Sequence, residues 1–315
     1  MVTSKGVGLA VPDWPTTFGY NMFLFPVSKW VGGILFEHTH RLMGSLVGFL
    51  TIILAVWLWL GEDRQWVRNL GVIALGGVIL QGILGGLRVT MMKDEIGIFH
   101  AWVAQAFLGL LVIIALVTTN FWRMLANQQT DPQKFVPIKT FVIAITITIY
   151  VQLALGATMR HQHRDLAILD FPTANGAWIP DTSATALAKI NARRDAQGLS
   201  YVTAFQIWLQ MAHRFVALVI GIALIAFCLR IWRDSPRFGA LKRLSIFWVV
   251  LVACQIALGA WTIWSNKAAD VATAHVAIGA VMLSFGVSVS AICWQISQRT
   301  VGRARPPGAP KHVPA

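Results

Sequence analysis

Seven stretches of about 20 apolar residues, the length an α-helix needs to cross roughly 30 Å of hydrocarbon, lie near residues 38–60, 70–88, 98–120, 137–157, 205–229, 243–263 and 272–295. That pattern makes the chain an all-α, polytopic membrane helical bundle. The formal charge of +13 on 315 residues would point to nucleic acid in a soluble protein. Here the Lys and Arg gather in the connections 61–69, 121–136 and 230–243 and in the tail from Arg299, so charge reports topology and no nucleic-acid partner. Those connections and the C-terminus are expected in the cytoplasm. The N-terminal residues, the connections 89–97 and 264–271 and the long segment 158–204 then lie outside a cell inner (plasma) membrane. One short helix is expected around 183–196. Residues 1–33 hold no spanning stretch and no apolar signal region.

The chain repeats itself. Glu37-His38-Thr39-His40-Arg41 opens the first run and Gln210-Met211-Ala212-His213-Arg214 opens the fifth. Aligned without a gap, His40 matches His213, Arg41 matches Arg214, and Glu37 differs tellingly by matching Gln210. A Gln-x-x-Leu-Gly motif recurs at Gln81, Gln152 and Gln255, and the outer turn Val11-Pro12-Asp13-Trp14-Pro15 recurs as Ile168-Leu169-Asp170-Phe171-Pro172. These repeats predict two pseudo-symmetric four-helix halves: residues 1–136, with three spans visible and the opening span missing, and residues 137–298, with four. Residues 299–315 read as a disordered cytoplasmic tail. Either translation starts upstream or the sequence is truncated, and an apolar segment of about 20 residues is expected to be encoded before Met1.

Four histidines, His40, His100, His213 and His275, sit at the outer ends of the first, third, fifth and seventh runs. Two imidazoles on facing helices, with glycines such as Gly44, Gly85 and Gly259 leaving room for a flat ligand, make a bis-His haem site. Zinc suits the pattern less well, since it needs three or four ligands around one point. Arg41 and Arg214 each follow a proposed ligand, where they either pair with a propionate or mark the interface as snorkelling cations. Glu37 precedes His40 by three residues and so shares its helix face. Only the first half then has an acid-base group beside its metal, which assigns substrate chemistry to that half and electron storage or relay to the second. His161 and His163 read as solvated loop residues. Cys228, Cys254 and Cys293 read as buried structural thiols, and the tryptophans as aromatic belts.

The Glu37-to-Arg41 run with Gly48, Phe99-His100-Ala101-Trp102, the His213-Arg214 start and His275 together resemble the haem A synthase family, over roughly residues 3–295. The resemblance implies oxidation of a methyl group of haem O to a formyl group, giving haem A for cytochrome oxidase. It implies His213 and His275 as ligands of a resident haem b, His40 and His100 facing the substrate haem, and Glu37 as essential to catalysis. Partners implied are haem O synthase, cytochrome oxidase assembly factors, an electron donor and further copies of the chain in a homo-oligomer. The family has eight spans where this chain shows seven, and the cysteine pair of many bacterial members is missing from the first outer loop. The alternative reading is a two-haem membrane cytochrome b that carries electrons without substrate chemistry. Such carriers space two histidines 13–14 residues apart on one helix, about 20 Å, and no run here does so. A repeat-built transporter would place its polar residues at the midplane, whereas these gather at one surface.

Overall fold

The computed structural model describes residues 6–125, 135–162, 166–234 and 239–297. Nine α-helices occur among them: α1 (Gly32–Gly61), α2 (Gln65–Met91), α3 (Asp94–Val117), α4 (Asn120–Leu125), α5 (Phe135–Gln162), α6 (Ala184–Asp195), α7 (Ala204–Asp234), α8 (Gly239–Trp264) and α9 (Ala269–Ser297). All but α4 and α6 are long and apolar enough to span a membrane, seven in total. Each expected span has its helix, and several helices run past the apolar stretch. Thus α1 starts at Gly32 and α2 at Gln65, because backbone hydrogen bonding continues into the polar interface where hydropathy no longer reports it.

The expected short outer helix is α6, whose N-cap Ser183 accepts a hydrogen bond from the Ala186 N–H. At the opposite end of the bundle, the α1–α2 turn is closed by Glu62, which accepts from Arg64 Nε and Nη2, both at 2.7 Å. Those hydrogen bonds push its carboxyl down to about 2.

The spans pack in two arrangements. Helices α5, α7, α8 and α9 form a closed ring, α5 on α7, α7 on α8, α8 on α9 and α9 back on α5. Its core is dry and large-residue, with Val142, Leu224, Phe227, Ile231 and Trp248 almost fully buried. Helix α1 packs on α2 and α2 on α3, and α3 joins the ring through α5 and α9. Leu58, Val67, Ala74, Ile114 and Trp122 form the second core. This array stays open, since α1 finds its main helical neighbour in α2 alone. The cysteine expectation holds only in part: Cys293 is buried, Cys228 is half-buried and Cys254 is exposed on α8.

At the histidine end, two outer turns share one construction. Asp13 accepts from the N–H groups of Phe18 and Gly19 at 2.8 and 2.9 Å and from the Thr16 hydroxyl. Asp170 accepts from the N–H groups of Asn175 and Gly176 at 2.7 and 2.9 Å and from the Thr173 hydroxyl at 2.7 Å. Matching bridges join Thr17 to Tyr20 and Ala174 to Ala177, and the Trp14–Pro15 and Phe171–Pro172 peptides are both cis.

Burial works to raise both aspartates, but these hydrogen bonds outweigh it and hold each carboxyl below its ordinary value of 3.8. A carboxyl lowered on folding stabilises its turn above the unfolded pKa and loses that contribution as pH falls through the folded one. Both turns should therefore keep full amide protection at neutral pH and loosen in acid below the ordinary carboxylate range. Hydrogen exchange at Phe18, Gly19, Asn175 and Gly176 checks this, with Asp13→Asn expected to speed exchange in the first turn on the order of tenfold at neutral pH. Unchanged protection in that variant would show that the carboxylate does not organise the turn.

Candidate functional site

The four histidines lie near the starts of their helices, all at the end that carries the outer turns. His40 on α1 and His100 on α3 face each other, with ring centroids 6.3 Å apart and planes at 86°. Imidazole nitrogens sit about 2 Å from a bound metal, so two rings opposed across one metal place their centroids about 6 Å apart. His213 on α7 and His275 on α9 lie within electrostatic reach of one another. In both pairs the two helices are separated by a shared neighbour, α2 between α1 and α3, and α8 and α5 between α7 and α9. A histidine pair therefore spans a gap and not a packed seam.

Three of the rings are set by a recurring device. The Gln81 side-chain amide donates to the His100 carbonyl at 3.0 Å, and that of Gln152 donates to the His213 carbonyl at 2.9 Å. One turn on from each motif glutamine is the motif glycine, and the ring lies over it. A Cβ added at Gly85 would sit 3.5 Å from His100 Cε1, at Gly156 3.2 Å from His213 Cε1, and at Gly259 3.3 Å from His275 Cε1.

The Nδ1 atoms of His100, His213 and His275 are buried without a hydrogen bond, and each ring has the backbone of Gln81, Gln152 or Gln255 respectively beside it. A metal-bound imidazole commonly turns its other nitrogen to a backbone carbonyl. The arrangement suits Nδ1 toward the glutamine backbone and Nε2 toward the gap. His40 has no corresponding glutamine contact among the described residues and its ring is exposed.

Glu37 is buried. One oxygen accepts from the Val11 N–H at 3.0 Å and the other from Arg41 Nη2 at 3.0 Å. It remains within electrostatic reach of His40. Gln210 holds the second turn in the same way, accepting from the Ile168 N–H at 2.9 Å and donating to the Ile168 carbonyl at 3.1 Å. A carboxylate cannot donate, and in the first turn Arg41 Nη2 takes the Val11 carbonyl, at 2.8 Å.

The guanidinium groups of Arg41 and Arg214, for which the sequence left a propionate partner and a snorkelling position at the interface open, donate to backbone carbonyls. Arg41 Nη1 donates to the carbonyls of Asp13 and Thr16 at 2.7 and 3.0 Å. Arg214 donates to those of Asp170 and Thr173 at 2.6 and 2.8 Å. They fasten the outer turns over the histidine helices. His38 does likewise, buried between Phe25 and Trp30 with Nδ1 3.3 Å from the Thr17 hydroxyl.

His161, read as a solvated loop residue, lies in the last turn of α5 and is half-buried; His163 falls outside the described residues. Sequence reasoning missed the Gln-to-His clasp, although the recurrence of Gln-x-x-Leu-Gly marked its positions. Among the described residues no three His, Cys, Asp or Glu side chains are placed to hold a metal ion. Two nitrogens per site suit a metal whose other ligands come from a macrocycle.

Residues 1–287 match the family described as cytochrome oxidase assembly protein, COX15-CtaA. Relatives include three proteins named haem A synthase. The one from Shouchella clausii is 32% identical over 59% of this chain and 61% of its own length. The one from Halalkalibacterium halodurans is 25% identical over 90% of this chain and 86% of its own, and that from Bacillus licheniformis 27% identical over 87% and 83%.

Proposed function

The chain belongs to the COX15-CtaA family of cytochrome oxidase assembly proteins, and on that premise we propose that it is a haem A synthase, a membrane oxidoreductase that converts a methyl group of haem O to a formyl group. The observation that carries this reading is the opposed pair His40 and His100, 6.3 Å between ring centroids, with a buried carboxylate, Glu37, one helical turn before His40. Haem iron, when bound, supplies the oxidising chemistry that a methyl C–H bond demands.

The protein's part is positional and protonic. His40 and His100 would hold the substrate haem, while His213 and His275 would hold a resident haem b as an electron store. The rings are kept upright by Gly85, Gly156 and Gly259 beneath them and by the glutamine backbones beside them. Glu37, within electrostatic reach of His40, would take or return a proton at a carboxylate oxygen. On this reading residues 1–136 would carry the substrate site and residues 137–298 the resident haem.

Expression in a host that makes haem O, followed by pigment extraction and mass analysis, tests the activity. A formyl-bearing product is expected; haem-loaded protein with no such product would favour the electron-carrying cytochrome b.

The glycine cradle gives a second test. At 3.2 Å from His213 Cε1, a Cβ on residue 156 already requires the ring to give slightly, and a branched side chain requires it to tilt. Gly156→Val is expected to cut bound haem to below about half, with Gly156→Ala between it and the parent, by haem-to-protein absorbance ratio. Equal occupancy in all three would show that the ring does not rest on this glycine.

A further inference from the structure

The activity proposed above leaves two arginines and a histidine at the histidine end without employment. Arg88 lies in the last turn of α2, and Arg160 and His161 lie in the last turn of α5. The two salt bridges among the described residues, Glu37–Arg41 and Glu62–Arg64, involve none of them. Arg88 Nε, Arg160 Nε and His161 Nδ1 are each buried with no hydrogen-bond partner. Desolvated polar and charged groups left unpaired are costly, so three of them together imply something that completes them.

Their geometry groups them. Gly97, buried in the first turn of α3, has no side chain, and a Cβ placed there would lie 2.8 Å from both Arg88 Nε and His161 Nδ1. The two nitrogens thus lie side by side against the bare backbone of this glycine. On its far side the Arg88 guanidinium backs onto Gly8, where a Cβ would meet Nη2 at 2.7 Å. Arg88 is in electrostatic reach of His40, His100, Arg160 and His161. Arg160 also reaches His275. The cluster therefore stands beside the first histidine pair, on the side toward the second.

We propose that Arg88, Arg160 and His161 form a carboxylate site that binds the propionates of the porphyrin held between His40 and His100. This rests on the haem reading above and adds the substrate's orientation. Turning a porphyrin about the axis between two imidazoles leaves both metal–nitrogen bonds unchanged, so the histidines alone cannot select one methyl group over another. Carboxylates fixed at one edge of the ring remove that freedom. Arginine suits the task because its planar fork matches a carboxylate in two hydrogen bonds.

The test is uptake of added porphyrin by the purified full chain, followed by Soret absorbance, comparing ferric haem with its dimethyl ester. His40→Ala identifies the uptake that belongs to this site. The parent protein is expected to prefer the free acid by about 10- to 100-fold, as one or two charge-assisted hydrogen bonds would give. Arg88→Gln and Arg160→Gln should each weaken acid binding by about tenfold and leave ester binding unchanged. Equal affinity of the parent for acid and ester would overturn the proposal without recourse to any variant. So would variants that weaken both ligands alike. A parent that takes up neither porphyrin would bring down the haem reading itself, and this inference with it.

Discussion

Glu37→Gln is expected to leave the fold and the bound haem unchanged while lowering formyl product by at least about a hundredfold, the lower end of what a positioned acid-base group contributes. The molecule contains its own control for this substitution. At the matching place in the second turn, Gln210 accepts from one backbone N–H and donates to the carbonyl of the same residue, Ile168. A glutamine at 37 can make the same two contacts with Val11, whose N–H it already binds at 3.0 Å.

Arg41 would lose its partner at 3.0 Å but keep the Asp13 and Thr16 carbonyls, as Arg214 keeps those of Asp170 and Thr173 with no salt bridge among the described residues. What disappears is the negative charge and the ability to carry a proton. Mass analysis of extracted pigment reads the product, and absorbance of the purified protein reads the haem. Normal haem A in the variant would sink the catalytic role. Loss of haem along with product would make Glu37 a fastening for the outer turn only.

How much of this was legible in the residues differs with the range of the interaction. Spans are local, so seven apolar runs gave seven helices, and only their ends slipped. The four histidines were legible because a duplicated pattern is a one-dimensional signal. The use of Arg41 and Arg214 was half-written in the sequence: each His-Arg pair recurs together with an Asp-x-Pro turn, and the structure joins them through backbone carbonyls. Carbonyls carry no sequence signature, which is why side-chain reasoning reached for a ligand instead.

The clasp of Gln81 on His100 was visible as a motif and invisible as a contact, since it depends on which helix lies beside which. Arg88 and Arg160 offered no signal, and His161 read as a solvated loop residue. Each is an ordinary polar residue at a helix end, and only their unpaired, buried nitrogens and the meeting of Arg88 with His161 at Gly97 set them apart. The open packing of α1 was anticipated in the count of spans. Its consequence, that His40 alone of the four rings lacks a glutamine contact among the described residues, needed the coordinates.

His213→Ala and His40→Ala should separate the two sites. His213 is seated from two directions, with the Gln152 amide on its carbonyl at 2.9 Å and Gly156 beneath its ring. Alanine keeps the first of these, because the clasp grips backbone, so α7 should hold its place in the closed ring. The imidazole nitrogen is lost. Loss of partners around a metal ligand typically weakens binding 10- to 100-fold, and loss of the ligand itself should do at least as much.

Purified His213→Ala is therefore expected to carry about a tenth or less of the parent's haem, with the six-coordinate spectrum gone from what remains. Formyl product should fall with it, since the electron store is emptied. His40→Ala should do the opposite: full resident haem with an unchanged bis-His spectrum, and no product. The reverse pattern, resident haem lost from His40→Ala and kept in His213→Ala, would exchange the roles of the two bundles. It would also remove Glu37 from the substrate, because that carboxylate stands beside His40 and has only an amide, Gln210, as its counterpart.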